Sequence, residues 1–192
     1  MSGDRENRKV KILICGAFSA GKTETVLATK TLLETNGHKV SLVEEVARKA
    51  PFALNKSQDF ETTSWLYCQQ ICSEIEASKD GAAITICDRG IPDIFSHFLD
   101  TMEKASKPGP FLDALFPALK QWCSTYGKVF FCPVDHGIPV QVDSLRVADP
   151  AYRLKMENHS LEALEMLDVQ YVGLSFEKEH RANAIYQSIA NL

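Results

Sequence analysis

Short apolar runs alternate with longer stretches in which apolar residues return every three or four positions. Val10 to Cys15 (VKILIC) is rich in β-branched and aliphatic residues, the mark of a buried strand. Lys22 to Asn36 follows with helix formers, an apolar face at Val26, Leu27, Leu32 and Leu33, and a stop at Gly37. His38 to Val43 reads as a second strand ending in Glu44-Glu45. A loop containing Pro51 then leads to a long helix over Gln58 to Ser78, apolar at Trp65, Leu66, Ile71 and Ile75. Ala82 to Cys87 is the third strand and ends at Asp88. Helices are predicted over Pro92 to Ala105 and Phe111 to Thr125, parted by the breaker Ser106-Lys-Pro-Gly-Pro110. Lys128 to Cys132 is a fourth strand, stopped by Pro133. Residues 134–149 show no clean period. Asp149-Pro150 supplies an N-cap and a first-turn proline for a helix reaching Leu167, with Leu154, Leu161, Leu164 and Leu167 on one side. Gln170 to Leu174 is a fifth strand, and Glu177 to Ala190 a closing helix. Strands alternating with helices predict a five-stranded parallel sheet covered on both faces, a three-layer α/β/α domain.

The length of 192 residues fits one domain over 9–192, preceded by a polar, mobile stretch at 1–8. The balance of 21 basic against 25 acidic residues, a net charge of −4, lacks the basic footprint of non-specific nucleic-acid binding. The longest early apolar run, Ile12 to Phe18, is too short to span a membrane and has no signal-cleavage pattern. We therefore expect a cytoplasmic protein, monomeric or homodimeric, with neither membrane nor nucleic acid as partner. The six cysteines have no metal-ligand spacing and read as buried or half-buried free thiols. The five histidines form no cluster and read as structural or surface residues.

One motif changes this picture. Gly16-Ala17-Phe18-Ser19-Ala20-Gly21-Lys22-Thr23 matches G-x-x-x-x-G-K-[ST] in full, directly after a strand and opening a helix. The glycines let backbone N–H groups turn inward onto phosphate oxygens, and the helix N-terminus adds its positive dipole end. Lys22 is the cation for the β- and γ-phosphates, and Thr23 a hydroxyl ligand for Mg²⁺. The pattern predicts a nucleoside triphosphate, with ATP and Mg²⁺ as cofactors.

Acids at strand ends lie where an open α/β sheet places ligands. Asp88 takes the place of a Walker B aspartate, as metal ligand or proton acceptor. Glu44 and Glu45 end the second strand, where they can bind a substrate hydroxyl or act as base. Arg89 follows Asp88, Arg48 lies three residues past Glu45, and Arg146 and Arg153 flank the aperiodic stretch and the helix after it. Arginines are suited to the charge that builds on a transferred phosphoryl group. We expect Lys22, Asp88, Glu45, Arg89, Arg146 and Arg153 as catalytic residues, and Glu44, Glu45, Arg48 and Asp93 around the acceptor. The segment 134–153 is expected to act as a lid.

These residues resemble the small P-loop kinases typified by the ribosylnicotinamide kinase domain of NadR-type proteins, and the AAA-type ATPase domains grouped with them. Besides the phosphate loop, the matching pieces are Glu45-Val-Ala-Arg48, Gln69-Gln70, Asp88-Arg89, Ser144-Leu-Arg146 before Asp149-Pro-Ala-Tyr-Arg153, and Val169-Gln-Tyr-Val-Gly-Leu. The resemblance implies a nucleotide-kinase-like P-loop NTPase fold with sheet order 2-3-1-4-5. It also implies ATP as donor and a small acceptor near Glu45 and Asp88. One departure stands out: Asp88-Arg-Gly-Ile-Pro-Asp93 replaces the acidic segment of ribosylnicotinamide kinases and is closer to deoxynucleoside and thymidylate kinases.

The expected function is therefore transfer of the γ-phosphate of ATP to a small acceptor such as a nucleoside, a nucleotide or a nicotinamide-riboside-like molecule. An ATPase module acting on a protein or nucleic acid is the alternative, although Asp88 is followed by Arg rather than Glu. A GTPase would need N-K-x-D, and Asn55-Lys-Ser-Gln58 lacks the aspartate.

Overall fold

Alternation along one strand sets the layers. In a computed structural model, which describes residues 9–104, 110–138 and 149–189, Val10–Cys15 forms the central strand β1. Ile12 and Ile14 pack on one face, among Val26, Leu33, Ile185 and Ile189, while Leu13 and Cys15 enter the opposite core with Leu66, Phe95, Phe98 and Leu119. Successive strand side chains point to opposite faces, so a strand apolar at both must be covered on both.

The remaining elements are α1 (Lys22–Thr35), β2 (Val40–Val43), α2 (Phe60–Lys79), β3 (Ile84–Asp88), α3 (Ile91–Lys104), α4 (Pro110–Cys123), β4 (Lys128–Phe131), α5 (Pro150–Met166), β5 (Val172–Gly173) and α6 (Lys178–Ile189). The sheet is parallel throughout, in the order β2-β3-β1-β4-β5, as expected. Helices α1 and α6 cover one face, and α2, α3 and α4 the other. The register sets Ile14 of β1 beside Asp88 of β3, so two strands separated by a long crossover end side by side.

Capping fixes two helix starts. Asp59 accepts from the Thr62 N–H to open α2, and Asp149 accepts from the Tyr152 N–H, with Pro150 in the first turn of α5.

Helix faces differ from the expectation in detail. Leu27, Ile75, Leu154 and Leu161 are exposed. Leu66 of α2, with Trp65 and Ile71 packed beside it, and Leu164 and Leu167 at the end of α5 do meet the core as expected. The buried residues of α2 also include Thr62, Thr63, Gln70 and Glu74, and those of α5 Tyr152, Met156 and Ala163. Polar residues occupy those inward faces because they find buried partners there, which a hydrophobicity pattern does not register. Cys68 and Cys72 are also exposed, on the outer face of α2; Cys15, Cys87, Cys123 and Cys132 are buried as expected. No helix among the described residues is long and apolar enough to cross a membrane.

Of the segment expected as a lid, residues 139–148, with Arg146, lie outside the described residues. Residues 150–153 are the first turn of α5 rather than loop.

Candidate active site

The loop between β1 and α1 is shaped by two glycines and one strained serine. Gly16 has φ +135°, and a Cβ there would lie 2.5 Å from the Cys132 carbonyl oxygen, so no side chain fits. Gly21 and Ser19 have φ +78° and +62°. The Gly16 N–H donates to Asp93 Oδ1 at 3.0 Å, which ties the loop to the start of α3. Lys22 is buried and its ammonium folds back onto the loop, donating to the Gly16 and Ala17 carbonyls at 2.6 Å each. Burial first, then Arg89, pushes the Lys22 pKa down to about 8.

Thr23 donates from Oγ1 to Asp88 Oδ2 at 2.7 Å, while Asp88 Oδ1 is buried with no hydrogen-bond partner. A hydroxyl and a carboxylate with a spare buried oxygen make a hard-oxygen donor set that fits Mg²⁺. Ser19 Oγ is likewise buried and unpartnered at the loop.

Beside the loop opens a cavity whose wall includes Gly16, Phe18, Glu45, Gln70, Arg89 and His97. Glu45 is buried, and Arg89 Nε donates to its Oε1; Arg48, about half exposed, reaches Oε2 at 3.1 Å from the outer side. Burial would raise the Glu45 pKa, but Arg89 and then Lys22 outweigh it and hold Glu45 down to about 2. Burial acts against the charge of Arg89, yet Glu45, Asp93 and Asp88 together raise its pKa above the ordinary arginine value. Arg89 sits at φ +76°, and its Nη1 lies 3.4 Å from the Gly16 carbonyl. Its guanidinium therefore spans from Glu45 to the phosphate loop.

Asp93, expected at the acceptor, spends both oxygens on backbone N–H groups: Oδ1 on Gly16 and Oδ2 on Gly90, at 3.0 and 2.9 Å. Burial raises its pKa against the pull of Lys22 and Arg89. It braces the loop as well as lining the cavity.

Three expected residues stand apart. Glu44 is exposed and does not line the cavity. Arg48 touches it only through Glu45. Arg153 is buried, with Nη1 and Nη2 donating to the Ile138 and His136 carbonyls at 2.9 and 3.3 Å, so it holds the turn after β4. An arginine on an aperiodic stretch is read as mobile; here the start of α5 fixes it.

Other residues emerge only in three dimensions. His97 lines the cavity, with Nδ1 buried and unpartnered, and burial followed by Arg89 pushes its pKa down to about 4. Gln70, fully buried, has its Oε1 unpartnered. Arg181 of α6 is buried and donates from Nη1 to the Ala20 carbonyl and from Nε to the Ser175 carbonyl, each at 2.6 Å. The signal for Arg181 was present in the chain, since it falls on the i, i+4, i+8 stripe with Ile185 and Ile189.

The model of a family described as AAA domain matches residues 11–181. No curated protein matches the chain. Among solved structures, deoxyadenosine kinase from M. mycoides with dCMP and dCDP bound is 12% identical, with a TM-score of 0.64, over 95% of this chain and 99% of that one. The NadR protein in complex with NR is 14% identical with a TM-score of 0.64, over 93% of this chain but only 49% of the NadR chain. YorR from Bacillus subtilis in complex with phosphorylated GDP is 10% identical, with a TM-score of 0.55, over 94% and 96%. At these identities the likeness establishes the fold, a P-loop kinase-like α/β/α sandwich.

Proposed function

The chain belongs to the AAA domain family, and from that premise we propose that it is an ATP-dependent phosphotransferase acting on a small acceptor, of nucleoside, nucleotide or nicotinamide-riboside-like chemistry. The observation that carries this reading is the cavity: the first residues of the phosphate loop, Gly16 to Phe18, form part of its wall, beside the charged groups of Glu45, Arg89 and Asp93. A second substrate seated there meets the phosphate end of the nucleotide with bulk water largely excluded. Solved P-loop kinases of the same fold act on or bind nucleosides, nucleotides and NR, which is consistent with an acceptor of that size.

The geometry supports the following roles. Backbone N–H groups of residues 16–23 hold the phosphates, and Lys22 exchanges its two carbonyl partners for phosphate oxygens. Thr23 and Asp88 would hold Mg²⁺, which when bound would offset the negative charge of the phosphates. Arg89 turns from Glu45 toward the phosphoryl group as charge builds there. Loss of that partner lets the Glu45 pKa rise from about 2, and Glu45 then takes the proton of the acceptor hydroxyl. Arg89 thus keeps the base inactive until phosphate arrives.

The test is ATP consumption against a panel of nucleosides, nucleotides and nicotinamide riboside, with product phosphate followed on the acceptor. Acceptor-dependent ADP release is expected with at least one member. Intact ATP binding without acceptor-dependent turnover, or hydrolysis stimulated only by a protein or nucleic acid, overturns the reading.

A further inference from the structure

The inner stripe of α2 ends on a carboxylate to which the proposed reaction assigns no part. Glu74 is 1% exposed, and its two oxygens accept from four donors. Oε1 takes Gln70 Nε2 at 2.9 Å and the Tyr126 hydroxyl at 2.7 Å; Oε2 takes Lys11 Nζ at 2.6 Å and Trp122 Nε1 at 2.7 Å. Lys11 balances the charge and lies over the Trp122 and Tyr126 rings at 4.7 and 4.6 Å. A buried carboxylate held by four donors is stiff, because each donor loses a strong bond if the carboxylate moves.

Two of the four donors reach past Glu74 to the same piece of backbone. Gln70 Nε2 also donates to the Arg89 carbonyl at 3.1 Å, and the Tyr126 hydroxyl accepts from the Ile91 N–H at 3.1 Å. The first of these points follows Arg89 at φ +76°, a backbone conformation uncommon for a non-glycine residue, and Gly90 lies between the two. Gly90 fits so closely that a Cβ would lie 2.6 Å from the Tyr126 oxygen. Burial and the Glu74 carboxylate both raise the Tyr126 pKa well above the ordinary phenol value, so the hydroxyl keeps the proton it gives to Glu74.

Glu74 also decides which way the Gln70 amide faces. Nε2 lies between two acceptors, and a flipped amide would set its oxygen against a carboxylate and a carbonyl. The unpartnered Oε1 of a cavity-lining residue is the consequence.

We propose that Glu74 is a positioning residue: through Gln70 and Tyr126 it holds the Asp88–Ile91 turn in the shape that sets Arg89 between Glu45 and the phosphate loop, and it fixes the polarity of the Gln70 amide. The part played by Arg89 rests on the proposed phosphotransfer; the mechanical link does not.

The experiment is ¹⁵N-resolved hydrogen exchange on Glu74→Gln, Tyr126→Phe and Trp122→Phe. In Glu74→Gln, exchange of the Ile91 amide and of the Gln70 side-chain NH₂ is expected to rise about tenfold, with Ile12 to Ile14 unchanged. Tyr126→Phe should free the Ile91 amide alone. Trp122→Phe removes a donor that does not reach the turn and should free neither. Unchanged exchange at both sites in Glu74→Gln, or equal loosening in Glu74→Gln and Trp122→Phe, overturns the proposal. Should Glu74→Gln not fold, Glu74→Asp takes its place, since the shorter side chain draws the carboxylate back from Gln70 and Tyr126; unchanged exchange at Ile91 and at the Gln70 side chain then overturns the proposal. In the phosphotransfer assay, Glu74→Gln should lower kcat about tenfold while KM for ATP stays within about twofold. Absence of any turnover in the wild type counts against the proposed function, and the exchange results still decide the positioning role.

Discussion

Lys22 and Asp88 separate binding from chemistry at the residue scale. Lys22→Ala removes the one phosphate-loop ammonium and is expected to abolish measurable ATP binding by calorimetry. Asp88→Asn keeps an oxygen for the Thr23 hydroxyl but loses the charge that, on the proposed mechanism, would hold Mg²⁺, so much of the binding should survive while turnover disappears. Full activity in Asp88→Asn would contradict the assignment. Glu45 gives a prediction with a definite sign. Its pKa is about 2 in the folded protein against 4.5 for the free side chain, so its pairing with Arg89 stabilises the fold above pH 4.5. That contribution, on the order of 3 kcal/mol, is lost as pH falls from 4.5 toward 2. The stability gap between wild type and Glu45→Gln, measured by urea midpoints, should therefore shrink across that window. A constant gap would show that the pair does not govern the titration of Glu45.

At the scale of elements, strand and helix order was legible from periodicity, and so were the Asp149-Pro150 start of α5 and the glycine-shaped loop. Helix faces were less so. In α5 the leucine count suggested a stripe through Leu154 and Leu161, yet both are exposed while Leu164 is buried. The helix crosses α3, and its buried polar residues Arg153, His159 and Ser160 share the inward face with the apolar ones. Leu164→Ala should cost about 2–5 kcal/mol. Leu154→Gln and Leu161→Gln should stay within about 0.5 kcal/mol of wild type by thermal unfolding. Comparable losses at all three would restore the simple leucine stripe.

At the scale of the whole molecule, the last helix braces the first loop. Arg181 bonds the Ala20 carbonyl, and a Cβ on Gly21 would lie 2.8 Å from the Lys178 side chain. Arg181→Leu removes the donor to three carbonyls, those of Ala20, Ser175 and Phe176, and is expected to cost about 2–3 kcal/mol in stability. It should also weaken ATP binding, read as a smaller thermal shift on adding ATP; an undiminished shift would separate α6 from the site. Beside that loop, Glu45, Arg89 and Asp93 line one cleft of a chain whose net charge is −4.

Much of the chemistry was written locally. Gly16, Gly21, Lys22 and Thr23 act within one strand–loop–helix unit, whose geometry follows from glycine's freedom at positive φ and from the helix N-terminus. The amino-acid order therefore determined the shape of the phosphate-type loop and the parallel α/β class by itself. Only tertiary structure decided which charges meet: Arg89 with Glu45, Asp93 with the Gly16 N–H, Glu74 with donors from β1, α4 and the turn after it. These groups lie far apart in the chain and become neighbours through strand order and crossovers. A buried ion pair leaves no periodic trace, because its members satisfy each other and so tolerate positions that hydrophobicity alone reserves for apolar residues.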